Sequence, residues 1–339
     1  MNMISINEII EKSDAGEELA LEDAVALYET DPYSKDAFII RWAALRQSME
    51  LADGLAEIHA QIGLDSGPCP KNCQFCSFAM CNTRDPDARR RETPLKDILE
   101  YAKIYTEQGA NLILLLSTEA YDFDKYLEMC QRVREAVGNQ MPLLANTGDL
   151  TPERAVQLKA AGIDGIYHAA RLGEGEITEI PLETRLKTIE NAKNAGLKLS
   201  TCLEPIGPDH TAEQIARRAE QCMSWAPLTS GVGRRVAVPG TKTARLGMLS
   251  QPQNALYAAA YRLTDHRTKL IASVHSELMA NSGSNLSWSE VGSNPRDTRR
   301  KTESGRGRTI KEIKNLLNEA GWKVRRGPSE HWTEHWTEG

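Results

Sequence analysis

The chain has 339 residues, 40% of them apolar and 26% charged, with a formal net charge of −6 and a pI near 5.8. That composition describes a soluble globular protein, argues against disorder, and gives no general reason to expect nucleic acid as a partner. No apolar run is long enough to span a membrane and no signal-peptide core is visible, so a cytoplasmic location is expected, where seven cysteines point to metal or reactive thiols rather than disulfides.

Residues 4–50 read as helical, with Ser5-Ile6-Asn7-Glu8 as a start signal and apolar residues at helical intervals from Leu21. The spacing predicts an N-terminal helical extension over 1–54 that covers the bottom of the fold. From there, short apolar runs alternate with helices of about 12–16 residues, the grammar of βαβ units. Strands are expected at 57–62, 112–117, 142–146, 165–170, 198–203, 235–238, 270–274 and 286–291. Gly109, Gly162, Gly196 and Gly321 each follow a helical run and supply a left-handed helix end. Thr93-Pro94, Thr151-Pro152, Pro181 and Thr211 with Gln214 mark helix starts. Eight parallel strands joined by helices predict an α/β fold closed as a (βα)8 TIM-type barrel over 55–325, with a doubly wound open sheet as the alternative. The unit between strands seven and eight is the weakest. The tract 292–308 is loop-like and basic, either a lid over an anionic ligand or a solvated loop. The tail 326–339 holds a duplicated His-Trp-Thr-Glu and is expected to be disordered.

Directly after the first strand comes Cys69-Pro70-Lys71-Asn72-Cys73-Gln74-Phe75-Cys76. Intervals this short put three thiols on one loop around one metal centre. Thiolates hold iron–sulfur clusters, and three protein ligands on a cubane leave one iron open. Structural zinc prefers four ligands in two separated pairs, and no second pair follows; Cys81 would have to be the fourth. In a barrel of this type the loop opens at the C-terminal face of the strands, where active sites lie. This motif, with Phe75 just before the third cysteine, resembles that of the radical S-adenosylmethionine (SAM) enzymes. Over about residues 50–325 the chain is similar to their biotin-synthase-like clade, which includes biotin synthase, the [FeFe]-hydrogenase maturase and methylornithine synthase. The segment Val236-Ala237-Val238-Pro239-Gly240-Thr241, read as strand six, and Asn281-Ser282-Gly283-Ser284-Asn285 carry the likeness to the clade.

The resemblance implies a [4Fe–4S] cluster on Cys69, Cys73 and Cys76, with SAM on the fourth iron. It also implies reductive cleavage of SAM to a 5′-deoxyadenosyl radical that takes hydrogen from a small-molecule substrate. An external electron donor such as ferredoxin or flavodoxin is implied, and a partner protein or carrier-bound substrate is a further expectation. Ser117, Thr118 and Glu119 then fall where the SAM amino group is received. Arg171, a guanidinium at a strand mouth suited to a carboxylate, falls where the SAM carboxylate is bound; a rim salt bridge to Glu174 or Glu176 is the alternative. Glu204 is placed for the ribose hydroxyls, and Cys202 and His275 for catalysis. Asn146 and His168 are candidates for substrate contact, while Asp149 fits a helix cap. Strand ends Ser-Thr-Glu and Asn-Thr-Gly lack the cysteines that hold biotin synthase's second cluster, so that reaction is not expected. A second cluster using Cys81 or Cys202, as in sulfur insertion of a lipoyl-synthase-like kind in cofactor biosynthesis, stays open. So do carbon-skeleton rearrangement and radical methyl transfer, and outside enzymes an iron–sulfur electron carrier or a zinc protein. Cys130 and Cys222 sit at apolar helix positions and read as packing.

Overall fold

A computed structural model describes residues 5–82, 91–273, 275–297 and 307–333. Eight parallel strands form its centre: β1 Leu55–Gly63, β2 Leu112–Leu116, β3 Leu143–Asn146, β4 Gly165–Tyr167, β5 Lys198–Ser200, β6 Thr229–Arg234, β7 Leu270–Ala272 and β8 Leu286–Gly292. Each pairs with the next, and β8 returns to β1 from Glu57↔Leu286 to Gly63↔Gly292, so the sheet is a closed (βα)8 barrel. Strands buried on both faces should be continuously apolar, and β2, Leu-Ile-Leu-Leu-Leu, is buried throughout. Two asparagines stitch the sheet on either side of β1. Asn111 Oδ1 accepts the Ile58 N–H, and Asn285 Oδ1 accepts the Ile271 N–H while its amide donates to the Leu55 and Lys269 carbonyls.

The outer helices are α4 Leu95–Gln108, α5 Phe123–Val137, α6 Pro152–Ala160, α7 Leu182–Asn194, α8 Ala212–Ser224, α9 Gln251–Thr264, the short α10 Glu277–Ala280 and α11 Ile310–Glu319. They end as expected: Gly109, Gly162, Gly196 and Gly321 have φ between 74° and 89°. The capping box at Thr211 and Gln214 is complete. Among the described residues no helix is long and apolar enough to cross a membrane.

Three features depart from the sequence reading. Strand six is Thr229–Arg234, and the 235–238 segment that was expected to form it is loop. Gly231 and Gly233 disguise the true strand, yet they are what lets it pack: a Cβ on Gly231 would lie 2.3 Å from the Ala272 carbonyl oxygen. Strand five breaks after Ser200 and resumes as a separate piece, Leu203–Ile206, paired with β6. The N-terminal helices α1 Ile6–Asp14, α2 Leu21–Glu29 and α3 Lys35–Leu51 do not cap the bottom as one layer. α1 meets the end of α9, where Ser13 Oγ donates to the Leu263 carbonyl. Leu27 of α2 and Ile40 of α3 join one apolar cluster with Ile215 of α8 and Leu256 of α9 on the flank. Ser48 of α3 donates to the Gly283 carbonyl, so α3 fills the gap in the outer ring left by the four-residue α10.

The bottom is closed instead by the tail, described through residue 333; the second His-Trp-Thr-Glu copy lies outside the described residues. Trp332 is 0% exposed and packs on the inward leucines Leu112, Leu114, Leu116 and Leu144. Its ring passes so close to Gly165 that a Cβ there would lie 2.5 Å from it. Ser329 donates to Glu57, which also pairs with Arg325 and His59 inside the barrel. Trp332→Ala should cost about 3–5 kcal/mol of unfolding free energy, the range for a buried aromatic truncation. Urea titration checks it, and a loss below about 1 kcal/mol would show a loosely attached tail.

Candidate active site

The cysteine loop is shaped by its own backbone before any metal enters. Cys69 N–H donates to the Phe78 carbonyl and Met80 N–H to the Cys69 carbonyl, closing the loop at its base. The Asn82 amide donates to the carbonyls of Cys73, Gln74 and Cys76, holding the tight inner turn. Asn72 takes a positive φ of 50°, a conformation asparagine tolerates. From outside, Gln74 N–H donates to the Ile177 carbonyl, and Ser77 donates through both its amide and its hydroxyl to the Pro295 carbonyl. The first residues of the basic tract therefore buttress this loop; residues 298–306 lie outside the described residues. The Phe78 N–H reaches Cys76 Sγ at 3.3 Å, a donor placed for a thiolate. Among the described residues no three His, Cys, Asp or Glu side chains are grouped to hold a single metal ion, and Cys81 turns to Asn72 rather than to the other thiols.

Cys69, Cys73 and Cys76 line a cavity of ≈ 300 Å³ at the C-terminal mouth of the barrel, and the strand ends supply its other walls. Ser117, Thr118 and Glu119 after β2, Asn146 of β3, His168 and Arg171 after β4, Cys202 and Glu204 after β5, and His275 after β7 all face this one space. Asp149 stands behind it, accepting from Arg185 Nη1 at 2.9 Å and from Thr188, while its own N–H donates to the Glu119 carboxylate. It is not the cap of α6; Thr151 is. Arg171 lies 3.8 Å from Glu174 and 3.9 Å from Glu204, both beyond hydrogen-bond distance, and its Nη1 is buried with no hydrogen-bond partner. Gly148 and Gly233 let the acidic groups sit close, since a Cβ would lie 2.9 Å from the Glu119 carboxyl carbon and 3.1 Å from Glu204 Cβ. Cys202 is the one thiol facing the cavity away from the loop. Cys130 and Cys222 are fully buried in apolar clusters.

Three residues of the site carried no signal in the sequence. Asp65, just past β1, accepts both the backbone N–H and the hydroxyl of Thr118, fixing the turn after β2. Arg185 is a mid-helix arginine that would ordinarily be a surface residue, yet its side chain is buried and faces the cavity. Asn82 reads in sequence as any loop asparagine.

Burial dominates the electrostatics. It raises all three thiols, Cys76 to about 12, so that each favours the neutral form until a cation compensates. Burial and then Asp149 raise the Glu119 carboxyl, against the pull of Arg185 and Lys71. Arg171 is raised: burial opposes its charge, but Glu174, Cys73 and Glu204 outweigh it. Burial, with Arg185 and Arg171 adding, lowers His168 from 6.5 to about 4 against the pull of Asp149, which lies 3.4 Å away. The free imidazole in the unfolded chain takes up its proton first, so this residue withdraws stability from the fold as pH falls from 6.5 through about 4. Histidine ¹⁵N NMR should find His168 neutral at pH 5. A ring already protonated at pH 6 would contradict its dry setting.

Comparison with known proteins accords with this geometry. The Radical SAM superfamily model matches residues 66–222. The chain is 26% identical over 207 residues to a biotin synthase of Pelotomaculum thermopropionicum, a match that spans 57% of this chain and 61% of that protein. Two solved structures share the fold. Methylornithine synthase (PylB) superposes with TM-score 0.78 and 18% identity, covering 95% of this chain and 98% of that one. The [FeFe]-hydrogenase maturase HydG from Carboxydothermus hydrogenoformans superposes with TM-score 0.76 and 19% identity, covering 97% and 81%. A radical SAM domain implies a [4Fe–4S] cluster and SAM. Three thiols on a preformed loop suit the first, and the half-buried Glu119 carboxylate with the Arg171 guanidinium, whose Nη1 makes no hydrogen bond, suits the second. Residues 66–222 thus match the Radical SAM superfamily model, and the chain is similar in sequence to biotin synthases and shares its fold with PylB and HydG.

Proposed function

We propose that the chain is a radical SAM enzyme that takes a hydrogen atom from an unactivated carbon of a small molecule. One observation carries this reading: the three thiols, the Glu119 carboxylate and the Arg171 guanidinium, whose Nη1 makes no hydrogen bond, all face one cavity at the open end of the barrel. The cluster and SAM, when bound, supply a 5′-deoxyadenosyl radical through one-electron cleavage of a carbon–sulfur bond. Cys69, Cys73 and Cys76 would hold the cluster and leave one iron for SAM. Glu119, with the backbone of Ser117 and Thr118, would accept from the α-ammonium of SAM, and Arg171 would grip its carboxylate. Glu204 would receive the ribose hydroxyls beside Gly233, where the missing side chain leaves room. The deeper residues, Asn146, Cys202 and His275, would meet the substrate, and the floor built on Trp332 keeps water from rising through the barrel.

The reaction beyond the radical stays at the level of classes. Cys202 is alone on its wall, so inserting sulfur from a protein-held second cluster would need ligands of other kinds or a donor brought by a partner protein. Carbon-skeleton rearrangement and methyl transfer need no such ligands. An electron from outside is required in every case, so a reductant of the ferredoxin or flavodoxin kind belongs to the proposal. Reconstituted anaerobically with iron and sulfide, the protein should show the broad visible absorption of an iron–sulfur cluster and release 5′-deoxyadenosine from SAM on reduction. Cys73→Ala should abolish both. A full cluster without SAM cleavage would overturn the enzyme reading in favour of an electron carrier, and colour retained in Cys73→Ala would overturn the ligand assignment.

A further inference from the structure

We infer that the outer surface formed by the cysteine loop and the segment 239–248 after β6 is the docking site of the electron donor. The donor it fits is an acidic protein that presents the apolar edge of a reduced flavin, as a flavodoxin does. The inference rests on the SAM reading above, which needs an electron from outside but leaves open where it enters. Electron transfer between proteins slows steeply with distance, so a carrier has to approach close to the cluster. SAM and substrate would fill the cavity itself. The cysteine loop is one wall of that cavity, and the outward residues of the loop and of its neighbour are the nearest outer surface.

Hydrogen bonds hold the two segments together. Lys242 N–H donates to Asn82 Oδ1 at 3.0 Å, and the Thr243 N–H and hydroxyl both point at the Gln74 carbonyl, at 3.3 and 3.4 Å. The Asn82 amide in turn binds the carbonyls of Cys73, Gln74 and Cys76, so the segment after β6 is fixed to the cysteine turn. Met80 adjoins the first cysteine, its N–H donating to the Cys69 carbonyl at 3.0 Å. The side chains these segments turn outward are apolar. Met80 is 53% exposed, Leu246 39% and Met248 38%, while the other exposed large apolar residues described stand on or just before α3 or singly on α4 and α6. Apolar groups gathered on one surface mark interaction sites, and unbranched methionine adapts to a partner.

Charge selects the partner. Lys242 and Arg245 are exposed and Lys71 partly so, and neither 69–82 nor 239–248 contains an Asp or Glu. The whole chain carries −6 and would repel an acidic carrier, so a local basic rim is what attracts and orients one. Acids return at the edges: the Asn72 amide donates to Glu179, and Asp209, next to the Pro208 that faces Gly247, is paired with Arg235. An apolar centre inside a basic rim complements a flavin whose apolar dimethylbenzene edge is ringed by carboxylates. Transient redox contacts bury less than about 1,200 Å² in total, so a small patch suffices. In the step itself the flavin loses one electron and the cluster gains one, with no group transferred.

The test compares a docking reductant with one that needs no docking surface. Release of 5′-deoxyadenosine from SAM would be measured for the reconstituted wild type and for the double variant Lys242→Glu, Arg245→Glu. Each would be driven either by flavodoxin, kept reduced by its reductase and NADPH, or by dithionite. At low salt the double variant should be about tenfold or more slower with flavodoxin and unchanged with dithionite. Rising salt should bring the wild-type flavodoxin rate down toward that of the variant. The pair Leu246→Gln, Met248→Gln should slow the flavodoxin-driven rate at every salt concentration and again spare dithionite. An unchanged flavodoxin rate in both double variants would overturn the inference, and so would equal losses with both reductants. A wild type driven by dithionite or reduced ferredoxin but not by flavodoxin would overturn the flavin assignment. No cleavage even with dithionite would instead overturn the SAM reading itself.

Discussion

Pairing of β8 with β1 closes the sheet into a barrel, and the site depends on that closure. The two strands keep parallel register from Glu57↔Leu286 to Gly63↔Gly292, which leaves the sheet no free edge and aims every strand's C-terminal end at one mouth. Asn111 and Asn285 reinforce the sheet on both sides of β1 with side-chain amide bonds to backbone. Because the cysteine loop leaves β1 just past that seam, its thiols cannot avoid the shared cavity. The loop's base then hydrogen-bonds to itself and to Pro295 beyond β8, so both strands of the seam grip the cysteine segment. A weaker seam would loosen fold and site together.

The cavity is expensive to build, and the expense is concentrated on one side. Buried thiols and carboxylates crowd the wall formed by the loop and the ends of β2 to β5. Arg171, Arg185 and the partly exposed Lys71 are cations on that wall. Desolvation pushes the thiols toward neutrality and Glu119 upward, so each anion on this wall needs a compensating cation. At the opposite end of the barrel the buried carboxylate has close partners. There Glu57 is paired with Arg325 and His59, Trp332 seals the floor, and the tail is joined to the first strand. Stability resides at the bottom and binding capacity at the top, as barrel architecture allows.

Legibility in the sequence followed the range of the interactions involved. The cysteine motif was readable because three cysteines within eight residues are a local fact. Helix ends at Gly109, Gly162, Gly196 and Gly321 were readable because one residue's backbone freedom decides them. Strand six was misplaced because its glycines are demanded by the neighbouring Ala272 carbonyl, a contact that no local pattern displays. The tail was misjudged for a related reason. His-Trp-Thr-Glu looks like a polar end until Trp332 finds the inward leucines of β2 and β3, far away in the chain. Arg185 and Asp65 escaped because a buried charge can be recognised only once its partners are known. The strand-end candidates did converge on one cavity, since barrel topology alone brings them there; topology leaves open which molecule each one touches.

The central claim is that Cys69, Cys73 and Cys76 hold a cluster whose remaining iron is open to SAM. Electron paramagnetic resonance of the reduced, reconstituted protein addresses that iron directly, independent of any substrate. SAM binding at the open iron changes the electronic environment of the cluster. The account predicts that saturating SAM visibly alters the spectrum of the reduced cluster. A spectrum identical with and without saturating SAM would contradict it.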